Sequence, residues 1–239
     1  MQHSTQAIIL KKISYGEADL IVTFFGREEG RLTGIAKNAR LSHRRFGGAL
    51  ELGSLVNLHY VTRIHSSLVR LEDAQVSYPT TGIVQSLERI NALAKSLELA
   101  LAFLQERQAS PEKFDLLSKY IFFLTKTDPQ PQDCIAFELK WLSLVGYKPQ
   151  LDSCLNCGRY DEQPAWSFSL DQGGIMCSQC IGLNTKLVSL NEQSLQNMRL
   201  LATSQKVSIT NSQGLAIQGL LTNYIEYILG RPLNLIYNL

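Results

Sequence analysis

A chain of 239 residues with 45% apolar and 18% charged side chains has the composition of a folded globular protein, not of a disordered one. It holds enough material for one large domain or two ordinary ones. A net charge of +2, from 23 Lys+Arg against 21 Asp+Glu, selects no class of partner, and no apolar run reaches the roughly 18 residues that cross a bilayer. Residues 1–6 lead into a strand-like run without the basic and apolar segments of a secretory leader, so the expected location is the cytoplasm.

The first 79 residues read as β structure. Five short runs, "QAIILKKI", "DLIVTFF", "RLTGIAK", "LGSLVNLHYV" and "SLVRLEDAQVSY", are rich in Ile, Val, Leu, Phe and Tyr and are separated by turn residues. In the fourth, Val56, Leu58 and Tyr60 alternate with Asn57 and His59, the period-two pattern of a half-buried strand. Five such strands with regularly spaced turns predict a small barrel of the oligonucleotide-binding (OB) type, with another five-stranded sheet as the alternative. Between the third and fourth runs lies "IAKNARLSHRRFGGALE". Here Lys37, Arg40, Arg44 and Arg45 share nine residues with His43 and no acid. The first 79 residues carry ten Lys+Arg and seven Asp+Glu, the remainder 13 and 14, so the cationic excess belongs to the β part. Such a segment is either a solvated loop or a polyanion site.

After Pro79 the apolar period lengthens. Ile83, Leu87, Ile90, Leu93, Leu97, Leu101 and Leu104 follow helical spacing and predict one long helix. Ser110-Pro111-Glu112 predicts a capped start for a second, and a third runs from about Gln132 to Val145 before Gly146. "SLNEQSLQNMRLLA" and "AIQGLLTNYIEYIL" predict two more. The expected organisation is α+β: a β domain over 1–79, then a helical domain over 80–239 with an insertion at about 150–185.

That insertion carries Cys154-Leu-Asn-Cys157 and Cys177-Ser-Gln-Cys180. The spacing C-x2-C-x19-C-x2-C falls in the window of a four-thiolate zinc site, with disulfide, redox and plain packing roles as the other readings. Four thiolates close a tetrahedral shell around zinc and leave no place for a catalytic water, so the ion would be structural. It would organise a loop of about 27 residues with little apolar content of its own. Cys134 stands alone in a helical pattern and reads as core.

No enzyme signature is present. The chain lacks Gly-Lys, His-Glu-x-x-His and Gly-x-Ser-x-Gly, and no histidine is followed by Glu two places on, as a zinc deaminase requires. The acidic pairs Glu28-Glu29 and Asp161-Glu162 read as solvated turn residues. The protein is therefore expected not to be an enzyme.

The segments "YGEADLIVTFFGREEGRLTGIAKNAR", "RRFGGALE", "LVGYKPQLDSCLNCG", "FSLDQGGIMCSQC" and "YIEYILGRPL", in this order, resemble the RecO family of bacterial recombination mediators. The resemblance implies an OB-fold domain, a helical domain and a zinc finger, in a nucleoid-associated protein that binds single- and double-stranded DNA and anneals complementary strands. It further implies contact with single-strand-binding protein, whose acidic tail would dock on the helical part, and with RecR in loading RecA. By position, the zinc ligands would be Cys154, Cys157, Cys177 and Cys180, and the DNA-facing loop would include Lys37, Arg40, Arg44 and Arg45. Two departures stand out: Asn38 where Gly is expected, and a tail "PLNLIYNL" without cations. Tyr15, Phe25 and Tyr60 are candidate base-stacking residues. Four neutralised phosphates on a single strand predict a slope of log affinity against log salt of about −3. A zinc-ribbon adaptor or transcription-associated scaffold, its loop meeting an acidic protein, is the alternative function.

Overall fold

The computed structural model describes residues 1–62, 66–160, 165–182 and 186–234; the Asp161-Glu162 pair and the last five residues of the tail lie outside them. The described chain forms two compact units, Met1–Asp128 and Pro129–Asn234.

The five apolar runs of the first unit are strands: β1 (Gln2–Tyr15), β2 (Asp19–Gly26), β3 (Gly30–Ala36), β4 (Leu55–Val61) and β5 (Val69–Tyr78). They close into a barrel in the order β1-β2-β3-β5-β4, with β4 returning to β1. All pairings are antiparallel except β3 with β5, the seam. At that seam a Cβ on Gly34 would stand 2.7 Å from Leu71 Cδ2 and 3.0 Å from the Val69 carbonyl oxygen, so the strands close only because residue 34 has no side chain. A shift of register between Ile9 and Lys11 bends β1 around the barrel. The interior is filled by Ala7, Ile9, Val22, Phe24, Leu32, Val56, Leu58, Tyr60, Val69 and Leu71. Phe46, Ala49 and Leu50 join it from the β3–β4 connection, which carries the single-turn helix α1 (His43–Phe46).

Helices α2 (Leu87–Phe103) and α3 (Pro111–Leu124) belong to the same unit. Phe25 on the outside of β2 meets Phe114 edge-on at 5.5 Å, and Arg27 reaches Asp115 through its two terminal guanidinium nitrogens. The periodicity changes at Pro79, whereas the packing divides after α3.

The predicted first helix is shorter than its apolar pattern. Ile83–Gln85 is a separate 3-10 turn, and Ser86, accepting from the Arg89 N–H, caps α2 behind it. Ser110 does occupy the cap position of α3, but its side chain makes no capping hydrogen bond; Pro111 in the first turn sets the start.

The second unit contains α4 (Pro131–Leu144), α5 (Glu192–Ala202) and α6 (Asn211–Leu229). The first three residues of the predicted "SLNEQSLQNMRLLA" helix are strand instead, because Asn191 accepts from the Ser194 N–H and starts α5 there. The cysteine segment also corrects its expectation. It is no loop shaped by metal alone, but a sheet of β6 (Ala165–Ser169), β7 (Gly174–Cys177) and β8 (Leu187–Asn191), ordered β7-β6-β8. Trp166, Phe168 and Ile175 are buried in it, and the Trp166 indole N–H donates to Glu192 Oε2 at 2.7 Å. Strands of four and five residues are too short to show a period against their polar neighbours.

Candidate nucleic-acid interface and metal centre

The cationic turn leaves β3 at Lys37 and is fixed by one carboxylate that the sequence did not single out. Asp19, at the start of β2, takes the Lys37 ammonium on Oδ2 at 2.7 Å and the Asn38 backbone N–H on Oδ1 at 2.8 Å. The Lys37 hydrogen bond, and then that of Asn38, hold the Asp19 carboxyl below its usual range. Asn38 is left-handed at φ 54°, and its carbonyl accepts from the N–H groups of Leu41 and Ser42 at 3.2 and 3.0 Å. The backbone thus needs the conformation that Gly adopts freely and Asn tolerates, which accounts for Asn38 where the family resemblance led to Gly.

Two anchors therefore hold the turn: Asp19 at its entrance and Phe46, in the barrel core, at its exit. Between them Arg40 and Arg44 are exposed. Arg40 donates to the Glu17 backbone carbonyl at 3.2 Å, while Arg45 donates to Ser42 Oγ at 3.0 Å, reaches the Lys37 carbonyl and lies over the Phe46 ring. Among the described residues Arg44 has neither a hydrogen bond nor an ion pair, and no carboxylate engages Arg40 or Arg45. Beside the turn a cleft of about 450 Å³ is lined by Lys12, Ser14, Arg40, His43 and Glu51, with Lys12 and Glu51 ion-paired across it.

Of the aromatic candidates, Tyr15 is 54% exposed at the tip of the β1–β2 hairpin. Phe25 is fully buried against α3. Tyr60 is buried with its ring stacked under His3 at 5.0 Å, and burial pushes its hydroxyl up to about 12. A covered ring offers no face to a base, whether it points into the barrel, as Tyr60 does, or is covered from outside by a helix, as Phe25 is.

In the second unit the four cysteine sulfurs lie within 4.8 Å of one another. All are free thiols, and Cys157 and Cys177 Sγ are 3.7 Å apart, well beyond the roughly 2.05 Å of a disulfide. Four sulfurs at the corners of a zinc tetrahedron with Zn–S near 2.3 Å stand about 3.8 Å apart, so the donor set fits the ion. Gly158, at φ +72°, closes the first knuckle by donating to the Cys154 carbonyl at 3.0 Å, and Cys180 donates to that of Cys177 at 2.9 Å. The first knuckle is tied to β7 by Leu155 N–H to Ile175 O at 2.9 Å. Arg199 of α5 holds its approach, donating to the carbonyls of Leu151 at 2.7 Å and Asp152 at 3.2 Å. This support was hidden in the sequence, since nothing local relates residue 199 to residue 151.

Burial opposes the Cys154 thiolate, but the N–H groups of Cys157, Cys177 and Asn156 outweigh it and bring the thiol down to about 6. Cys180 moves the other way. Although the Asn156 side chain favours its thiolate, the sulfurs of Cys157, Cys177 and Cys154 push it up to about 12. Sulfurs this close cannot all ionise beside one another unless a cation sits among them.

The sequence matches the family models "Recombination protein O N terminal" over residues 1–80 and "Recombination protein O C terminal" over residues 84–235. It is 32% identical to the DNA repair protein RecO of Myxococcus xanthus over 236 residues, 97% of this chain and 94% of that one. The RecO of Anaeromyxobacter dehalogenans strain 2CP-C is 32% identical over 231 residues, 95% and 91% of the two chains. That of Syntrophotalea carbinolica is 34% identical over 188 residues, 78% and 73%.

Proposed function

The chain belongs to the RecO family of DNA repair proteins, and from that premise we propose that it binds DNA through the cationic turn of an OB-type barrel and anneals complementary strands. The observation that carries the proposal is the state of the arginines. Arg40, Arg44 and Arg45 stand together on a turn anchored at both ends, and none is engaged by a carboxylate of the described chain. A backbone of phosphates supplies the missing counterions, and a barrel with cationic loops is a common scaffold for single strands. The order β1-β2-β3-β5-β4 with β1 beside β4 is compatible with an OB fold.

Annealing requires no bond chemistry. Cations that screen two backbones while leaving bases exposed raise the rate at which complementary strands meet. As the family resemblance implies, partners would be single-strand-binding protein, docking by its acidic tail, and RecR, the complex helping RecA onto coated DNA. Zinc, bound by Cys154, Cys157, Cys177 and Cys180, would supply a fixed tetrahedral junction and no reactive position. The family match favours this reading over a scaffold function.

Fluorescence anisotropy of a labelled oligonucleotide across salt concentrations tests it. Lys37 is already neutralised by Asp19, so three arginines remain and the slope should be about −2, shallower than the −3 read from four cations. Arg44→Glu with Arg45→Glu should abolish annealing. Salt-independent binding, or annealing that survives the double reversal, would refute the proposal.

A further inference from the structure

The apolar residues of the cationic turn divide into two sets. Ala39, Phe46, Ala49 and Leu50 pack on the barrel core, whereas Leu41 is 76% exposed. The backbone around Leu41 is nevertheless fixed. The Arg40 N–H donates to the Ala18 carbonyl at 3.0 Å, and the N–H groups of Leu41 and Ser42 donate to the Asn38 carbonyl at 3.2 and 3.0 Å. The Phe46 N–H then donates to the Ser42 carbonyl at 3.1 Å, closing the single turn of α1. Leu41 thus stands on a backbone held from both sides, while the described chain covers little of its side chain.

An exposed leucine alone needs no explanation, but its setting does. Arg40 precedes Leu41 directly and Arg44 follows it by three residues, both exposed. Arg40 binds only the Glu17 backbone carbonyl, and Arg44 has no partner among the described residues. We propose that Leu41 is a wedge that enters a base step of duplex DNA while Arg40 and Arg44 hold the phosphates beside that step. The inference rests on the reading of the turn as a DNA contact and adds an action to it: the turn opens a stack of base pairs as well as gripping the backbone.

Prying two base pairs apart costs stacking, and an apolar side chain offsets part of that cost by leaving water to fill the gap. Cations next to the wedge offset more of it by holding the backbones of the kinked duplex. A wedge on a loose loop would lose much of this gain to ordering, whereas the backbone hydrogen bonds around Leu41 order it beforehand. The same arginines decide between ligands. An apolar pocket on a protein would have to bring carboxylates for Arg40 and Arg44 as well, while a duplex presents an apolar gap with phosphates on both sides. A single strand has no paired stack to open, so Leu41 should matter little to its binding.

The test compares the zinc-loaded full chain with Leu41→Ala and Leu41→Met, using oligo(dT) and a duplex that carries 2-aminopurine, a base that fluoresces more strongly when unstacked. Native protein and Leu41→Met should brighten the duplex probe at saturation, and Leu41→Ala should not. Leu41→Ala should bind the duplex roughly fivefold more weakly at an unchanged salt slope, and oligo(dT) within about twofold of native. Both substitutions remove no core contact, so the fold is not at risk. Brightening that survives in Leu41→Ala, brightening lost alike in both variants, or equal losses of affinity on duplex and oligo(dT) would overturn the wedge. Native protein that shows no salt-dependent binding to either DNA would remove the DNA-binding reading and the wedge together; native protein that binds the duplex without brightening it would remove the wedge alone.

Discussion

In the turn at residues 37–45 like charges diverge into solvent, with Arg40 and Arg44 exposed, whereas in the knuckles four sulfurs converge to within 4.8 Å. Both regions are short, rich in turns and anchored on a sheet, yet they call for opposite ions. The turn is held without a ligand: Asp19 and Phe46 fix its ends, and among the described residues no carboxylate engages its guanidinium groups. The knuckles instead bring four sulfurs to within 4.8 Å, where thiolates repel one another unless a cation lies among them. Preorganised divergence suits reversible binding of a long polyanion, and convergence suits permanent capture of one small cation.

The largest effect expected from breaking this contrast is on the knuckles. Cys177→Ser should abolish binding of one zinc per chain, measured by metal analysis, and release the amides of Leu155, Gly158 and Cys180 to hydrogen exchange. Because Trp166 and Phe168 give the sheet its own buried side chains, β6–β8 pairing should persist and oligo(dT) binding should be retained. Loss of strand protection would show that metal, not packing, holds the sheet.

Next is Phe46→Ala, which removes the core anchor of the turn. It should cost about 3–5 kcal/mol of barrel stability in a denaturant titration and weaken DNA binding by loosening the arginines. Smaller effects separate the cations. Arg44→Ala, removing a side chain with no internal partner, should leave stability unchanged and make the salt slope shallower by about 0.7. Asp19→Asn, which keeps an acceptor for the Asn38 N–H but frees Lys37, should make the slope steeper by a similar amount. The smallest effect is on pH. The Asp19 carboxyl is lowered in the folded state, so its contribution is full above the unfolded value near 3.9 and is lost as pH falls through the lower folded value. DNA binding near neutrality should not report it, and the stability difference between native and Asp19→Asn proteins should be constant above about pH 4 and shrink as pH falls below it.

Much of this was legible in the chain. Period-two alternation in runs such as Val56–Leu58–Tyr60 marks strands wherever one face is buried, and the cysteine spacing marks a chelate because two C-x-x-C turns fix sulfur geometry locally. The β6–β8 sheet was not legible, since four or five residues carry too little pattern. Nor were Phe25 and Tyr60 separable from Tyr15. All three are strand or hairpin aromatics in sequence, and only the packing of Phe114 and His3 shows which rings are covered.

The sequence by itself determined the family, the five strands of the barrel, the cysteine donor set and the place of the cationic turn. Each rests on residue types at short fixed spacing, where local geometry leaves few choices. Tertiary structure alone decided which charges stay unpaired. Asp19 finds Lys37 across a strand pairing, and Arg199 finds Leu151 across 48 positions. Contacts between residues distant in the chain depend on how strands and helices pack, and no local pattern encodes that.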